Sequence, residues 1–158
     1  VVSVGCGVWI GGVYGETAAT VMVGVTEPAV SKMVRSTERS LRAGLEMAKA
    51  GNKLGDVSHA IQSAVEDDGF SVVRDFVGHG IGRELHEDPQ IPNFGKPGRG
   101  PKLREGMTLA IEPMVNMGAV GVEVLDDGWT VLTKDRKWSA HFEHTVAIHD
   151  GEVEILTK

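Results

Sequence analysis

At 158 residues the chain has the length of one domain with a self-sufficient core, and domain 1–158 is expected to be a single unit. Its 16 basic and 22 acidic residues leave a net charge of −6, which argues against nucleic acid as the main partner, since phosphate binding needs a basic face. No apolar run approaches the roughly 20 residues of a bilayer span and nothing resembles a signal peptide, so no membrane partner and a cytoplasmic location are expected.

Residues 1–24 read as two strands rich in valine, turned at Gly11-Gly12. Glu16 is the one acidic residue of that hairpin. Cys6, the only cysteine, excludes an internal disulfide and suits a reducing compartment. Flanked by Gly5 and Gly7, it has no base or cation to activate it and reads as a small packed residue. Glu27-Pro28 opens a helical pattern carried by Val30, Met33, Val34, Leu41 and Leu45, predicting a helix over 29–50 with Gly51 as its stop. A second helix is predicted over 56–68, with Asp56 as N-cap and Val57, Ile61 and Val65 on one face.

Beyond Gly69 the pattern changes. "FSVVRDFVGHGIG" reads as a strand followed by a glycine-bracketed loop holding His79, and "ELHEDP" places His86 at a loop edge before a proline-limited turn. "IPNFGKPGRGPKLREG" is a long connection, and its Lys96, Arg99, Lys102 and Arg104 are expected to be solvated. Strands follow in "MTLAIEPMV", "GVEVLDD", "GWTVLTK", "AHFEHTVAIHD" and "VEILTK", with Asp127-Gly128 and Asp150-Gly151 as turns. Two helices and a mostly antiparallel sheet, including 108–115 and 140–148, make an α+β domain with helices on one face.

Glu112 and Glu143 each interrupt an otherwise strand-like run. Alternation puts Glu143 on a face with His141 and Thr145. Burying a carboxylate costs several kcal/mol unless it is paired or bound to metal. One glutamate would suit an edge strand, but three on separate strands with an imidazole suit a divalent transition metal.

"FVGHGIGRELHEDPQIPNFG", "LREGMTLAIEPMV", "DGWTVLTKDRKWSAHFEHT" and "LGDVSHAIQ" together resemble the type I methionine aminopeptidases, in order and from Val1 to Lys158. The resemblance implies the pita-bread fold, two pseudo-symmetric α+β halves around a pair of divalent ions. It also implies an enzyme that removes N-terminal methionine from nascent proteins by way of metal-activated water. It places metal ligands at His79, Glu112 and Glu143, a substrate-contacting catalytic histidine at His86, proton transfer at Glu112, and a methionine-pocket residue at Trp129. Two family aspartates fall on Gly5 and Glu16, so one carboxylate is lost and the other lengthened. The family's chain also has a further N-terminal portion, with a catalytic histidine, before this hairpin, so the chain is expected to be incomplete there.

From these residues we expect one ion rather than two (manganese, iron, cobalt or zinc), peptide N-termini as substrate, and some self-association through the first strand. The alternative is an impaired or inactive pita-bread binding module, favoured by Gly5 and the missing portion.

Overall fold

The computed structural model describes residues 1–158. A nine-residue pair, β1 (Val2–Ile10) and β2 (Val13–Val21), is joined by Gly11 and Gly12 at φ of 62° and 89°. Two consecutive left-handed residues form the tight turn that matches strand twist, and glycine adopts it without strain. Two helices follow, α1 (Pro28–Met47) and α2 (Leu54–Glu66). The remaining strands are β3 (Ser71–Val72), β4 (Gly78–Gly80), β5 (Glu87–Ile91), β6 (Thr108–Ile111), β7 (Met114–Asn116), β8 (Val122–Val124), β9 (Val131–Thr133), β10 (Ser139–His141), β11 (Glu143–Ile148) and β12 (Val153–Ile155).

Seven strands form one antiparallel sheet in the order β1-β2-β11-β6-β4-β5, with β12 also on β11. A three-stranded sheet, β10-β7-β3, and the β8–β9 hairpin complete the fold. The helices pack on each other and lie against one side of these sheets. Met33, Leu41 and Leu45 of α1 and Val57, Ile61 and Val65 of α2 share a core with Leu109, Ile111, Val115, Val146 and Ile148. Each such side chain contributes about 1.5–3 kcal/mol when fully buried. The helix periodicity read from the sequence is the one that fills this core.

Several boundaries differ from expectation. Helix α1 ends at Met47, three residues early, with Asn52 Nδ2 donating to the Met47 carbonyl. Helix α2 begins at Leu54, so Asp56 is its third residue rather than its N-cap. Its carboxylate accepts from the Lys53 N–H at 2.7 Å and the Gly98 N–H at 2.7 Å, which both caps the helix and ties down the long connection. Lys96, Arg99, Lys102 and Arg104 are exposed along that connection. Cys6 is exposed, not packed, because β1 is the outermost strand of its sheet.

The segments 108–115 and 140–148 are not continuous strands of one sheet. Pro113 lacks an N–H, so the β6 ladder stops at Ile111 and the chain resumes as β7 in the smaller sheet. Residues 139–148 cross over in the same way at Phe142, whose N–H donates to the Pro113 carbonyl at 3.3 Å. Glu112 and Glu143 both lie at this crossing.

The two backbone donors hold the Asp56 carboxyl below its ordinary value of 3.8. A depressed folded value adds stability above the unfolded value, and that stability is lost as pH falls through the folded one. Asp56→Ala should cost about 1–2 kcal/mol by denaturant unfolding at neutral pH. The difference from wild type should shrink in acid strong enough to protonate Asp56.

Candidate metal centre

Cross-strand register assembles the site. His79 pairs with Ala110, and Ala110 with Thr145. Glu143 pairs with Ala18, which pairs with Gly5, while Glu16 pairs with Gly7. Residues two apart on a strand share a face. Gly5, Gly7, Glu16, Ala18, His79, Ala110, Glu112, Glu143 and Thr145 therefore all face away from the helices. Leu109, Ile111, Val146 and Ile148, of opposite parity, face the core. The polar groups stand on a floor of glycine, alanine and threonine, small enough to leave space above it.

His79 lies on the strand β4, not in a loop, and is only 8% exposed. Its glycine neighbours serve close packing: a Cβ at Gly78 would collide with the Ala110 carbonyl oxygen, and one at Gly80 with that of Asp88. His79 Nδ1 is 2.9 Å from the Gly80 carbonyl oxygen, a bond that makes Nδ1 the protonated nitrogen and leaves the Nε2 lone pair free. That Nε2 stands 3.5 Å from Glu16 Oε2 and 3.5 Å from Glu112 Oε1. The His86 ring lies edge-on to His79, centroids 4.3 Å apart, and is exposed just before β5. Asp88 and Pro89 belong to β5 rather than to a turn.

Glu16 is fixed through its backbone: its N–H donates to Thr145 Oγ1 at 2.8 Å, and that hydroxyl donates to the Glu16 carbonyl at 2.9 Å. The Glu112 carbonyl, left without a ladder partner by Pro113, accepts from Asn93 Nδ2 at 3.1 Å. Glu143 is 6% exposed. Burial first, then the negative charges of Glu112 and Glu16, push its carboxyl up to about 8. No lysine or arginine pairs with Glu16, Glu112 or Glu143. Glu16 Oε2 is buried without a hydrogen-bond partner.

Five of the six site residues named from sequence thus share one region. Within it His79 Nε2 approaches Glu16 and Glu112 singly, and no three of these side chains form a closed ligand group. Trp129 stands apart. It is 88% exposed on the β8–β9 connection, where the Asp127 carboxylate accepts from the N–H groups of Trp129 and Thr130 and holds the turn outward.

His141, which the sequence places on a face with Glu143 but to which it assigns no role in the site, reaches the cluster, with Nε2 3.4 Å from Glu112 Oε2. Its position two residues before Glu143 was the available signal. Beside it lies a cavity of about 370 Å³, lined by Val73, Phe76, Met114, Val122, Val131 and Leu132 together with polar groups of Asn116, Thr133, Ser139 and His141.

Residues 1–150 match the model of metallopeptidase family M24. The chain belongs to metallopeptidase family M24. It is 58% identical over 157 residues to a methionine aminopeptidase of Clostridium perfringens, covering 99% of this chain and 63% of the relative. It is 51% identical over 158 residues to methionine aminopeptidase 1 of Bacillus subtilis, covering 100% and 64%. The crystal structure of methionine aminopeptidase from Thermotoga maritima superposes with a TM-score of 0.97 at 55% identity, covering 99% of this chain and 63% of that one. The fold is therefore the pita-bread α+β fold of M24 enzymes, and the chain spans about 63% of the length of these relatives. No helix is long and apolar enough to cross a membrane.

The buried Glu143 carboxyl gives a test of this electrostatics. Its folded value of about 8 lies above the ordinary 4.5, so its contribution to stability is full below about 4.5 and is lost as pH rises through about 8. Burial lowers the neighbouring His144 below its ordinary 6.5, which favours the fold above that value and has the opposite slope. Comparing wild type with Glu143→Gln removes the His144 contribution common to both. With EDTA present, wild type should lose melting temperature relative to Glu143→Gln between about pH 5 and pH 8. Parallel curves would contradict the assigned burial.

Proposed function

We propose that this chain is the metal-binding portion of an aminopeptidase that removes methionine from peptide and nascent-protein N-termini in the cytoplasm, as the names of its relatives indicate for them. The observation that carries the reading is the placement of Glu16, His79, Glu112 and Glu143 on one sheet face, with no lysine or arginine paired to the three carboxylates. An orphaned Glu16 oxygen and a carboxyl raised to about 8 are the signs of a face that needs a cation. Ligands about 2.1 Å from a tetrahedral ion lie about 3.4 Å from one another, close to the 3.5 Å separations from His79 Nε2. The donor set suits manganese, iron, cobalt or zinc.

His79 would bind through Nε2, with Glu16, Glu112 and Glu143 as carboxylate ligands. A divalent ion held there supplies Lewis acidity and lowers the pKa of water. Glu112 takes up and returns the proton that moves during hydrolysis, and His86, exposed beside His79, donates to the peptide carbonyl oxygen as charge develops on it. The apolar cavity beside His141 offers space for a substrate side chain.

A single ion is the better fit. Gly5 brings no donor, although it lies in the register row of Ala18 and Glu143 on the same face. A Cβ added there would meet only the Ala18 Cβ at 3.9 Å, so aspartate has room. The second reading, a binding module without turnover, is favoured by this lost donor. The outer edge of β1 is unpaired, and Val2, Val4, Val8 and Ile10 on one of its faces are exposed, which supports self-association.

Mn²⁺ titration of purified protein should give about one ion per chain, moving toward two in Gly5→Asp. With Mn²⁺, slow release of methionine from a Met-Ala-Ser peptide should be abolished by EDTA and fall about 10²- to 10⁴-fold in Glu112→Gln. Metal and peptide binding without release would favour the binding module. Failure to bind Mn²⁺ at all would overturn the metal centre.

A further inference from the structure

His141 is held more firmly than an incidental neighbour of the site would be. The buried Thr20 hydroxyl accepts from the His141 N–H at 2.8 Å and donates to the His141 carbonyl at 2.9 Å. Thr20 is itself braced by Ser3 Oγ at 2.7 Å. This two-sided clamp sets the backbone at the end of β10, two residues before Glu143 and next to the crossing between the two sheets. The ring then reaches inward. Its Nε2 is shut off from solvent and bonds to no other group, and the carboxylate atom beside it is Glu112 Oε2, 3.4 Å away. A buried ring N–H without a partner is costly, and a small rotation of either side chain would complete this bond.

Glu112 is therefore approached from both sides. Oε1 faces His79 Nε2 at 3.5 Å and Oε2 faces His141 Nε2 at 3.4 Å, while Asn93 Nδ2 holds the backbone carbonyl. We propose that His141 is a positioning residue that binds the outer oxygen of Glu112 and so aims the inner oxygen at the metal centre. The inference rests on Glu112 acting as a metal ligand. An unsupported carboxylate at the break between β6 and β7 can rotate about its side chain, and a ligand that must be ordered on binding weakens the site. Outer hydrogen bonds of this kind to ligating groups are worth about 10- to 100-fold in metal affinity.

The test uses the whole chain, with Mn²⁺ affinity measured by calorimetry and the Co²⁺ visible spectrum recorded alongside. His141→Leu removes the donor and should weaken Mn²⁺ binding about 10- to 100-fold. His141→Gln, whose amide N–H₂ reaches a similar distance, should restore most of the affinity and keep the wild-type Co²⁺ spectrum. If His141→Leu does not fold, His141→Asn, too short to reach Glu112, takes its place with the same expectation.

Unchanged Mn²⁺ affinity in His141→Leu or His141→Asn would overturn the positioning role while leaving the metal centre standing. Weakened binding that His141→Gln does not rescue, with an altered Co²⁺ spectrum, would also overturn it, since the ring would then be a ligand itself. A wild-type chain that binds neither ion would overturn both readings.

Discussion

Three carboxylates gathered on one buried sheet face repel one another, and nothing within the chain neutralises them. Glu16, Glu112 and Glu143 come from β2, the end of β6 and the start of β11, and the nearest polar partners of the first two are imidazoles. Burial first, and then the negative charges of Glu112 and Glu16, raise the cost of ionising Glu143, whose carboxyl is pushed up to about 8. Such a face is unfavourable in a fold selected only for stability. A divalent cation bound there would offset that cost, because its binding free energy would add to that of folding.

The backbone is arranged to keep that face intact. The helices and the core residues of β6 and β11 anchor one side of the sheet, so side chains of opposite parity have no choice but to face the cleft. Thr145 bonds both backbone groups of Glu16, and Asn93 holds the Glu112 carbonyl. The glycines flanking His79 let β5 and β6 close tightly on β4. Pro113 matters as much as any polar residue. By ending one ladder and starting another, it brings the ends of two sheets to a shared line where Glu112 and Glu143 stand.

Much of this was legible in the sequence because it depends on local periodicity. The 3.6-residue spacing of Val30, Met33, Val34, Leu41 and Leu45 gave the first helix, and strand alternation marked Glu112 and Glu143 as intruders. The His79 segment misled because a Gly-His-Gly triplet reads as loop, while its glycines answer to the closeness of neighbouring backbones, which is a tertiary fact. The split of 108–115 into two sheets was signalled by Pro113 but overridden by the apolar run around it. His141 was seen only as a face-mate of Glu143, since its contact with Glu112 depends on how β10 pairs with β7. Trp129 came from resemblance, and the turn closed by Asp127 leaves it exposed.

Locating the cation within the fold is the most direct measurement of the central claim. Crystals equilibrated with Mn²⁺ would be measured at the manganese absorption edge, where anomalous scattering reports the position of the ion independently of any assumed ligand set. One peak enclosed by Glu16, His79, Glu112 and Glu143, with no second peak of comparable height beside Gly5, is the predicted result. A peak among other residues, or none at saturating Mn²⁺, would contradict it.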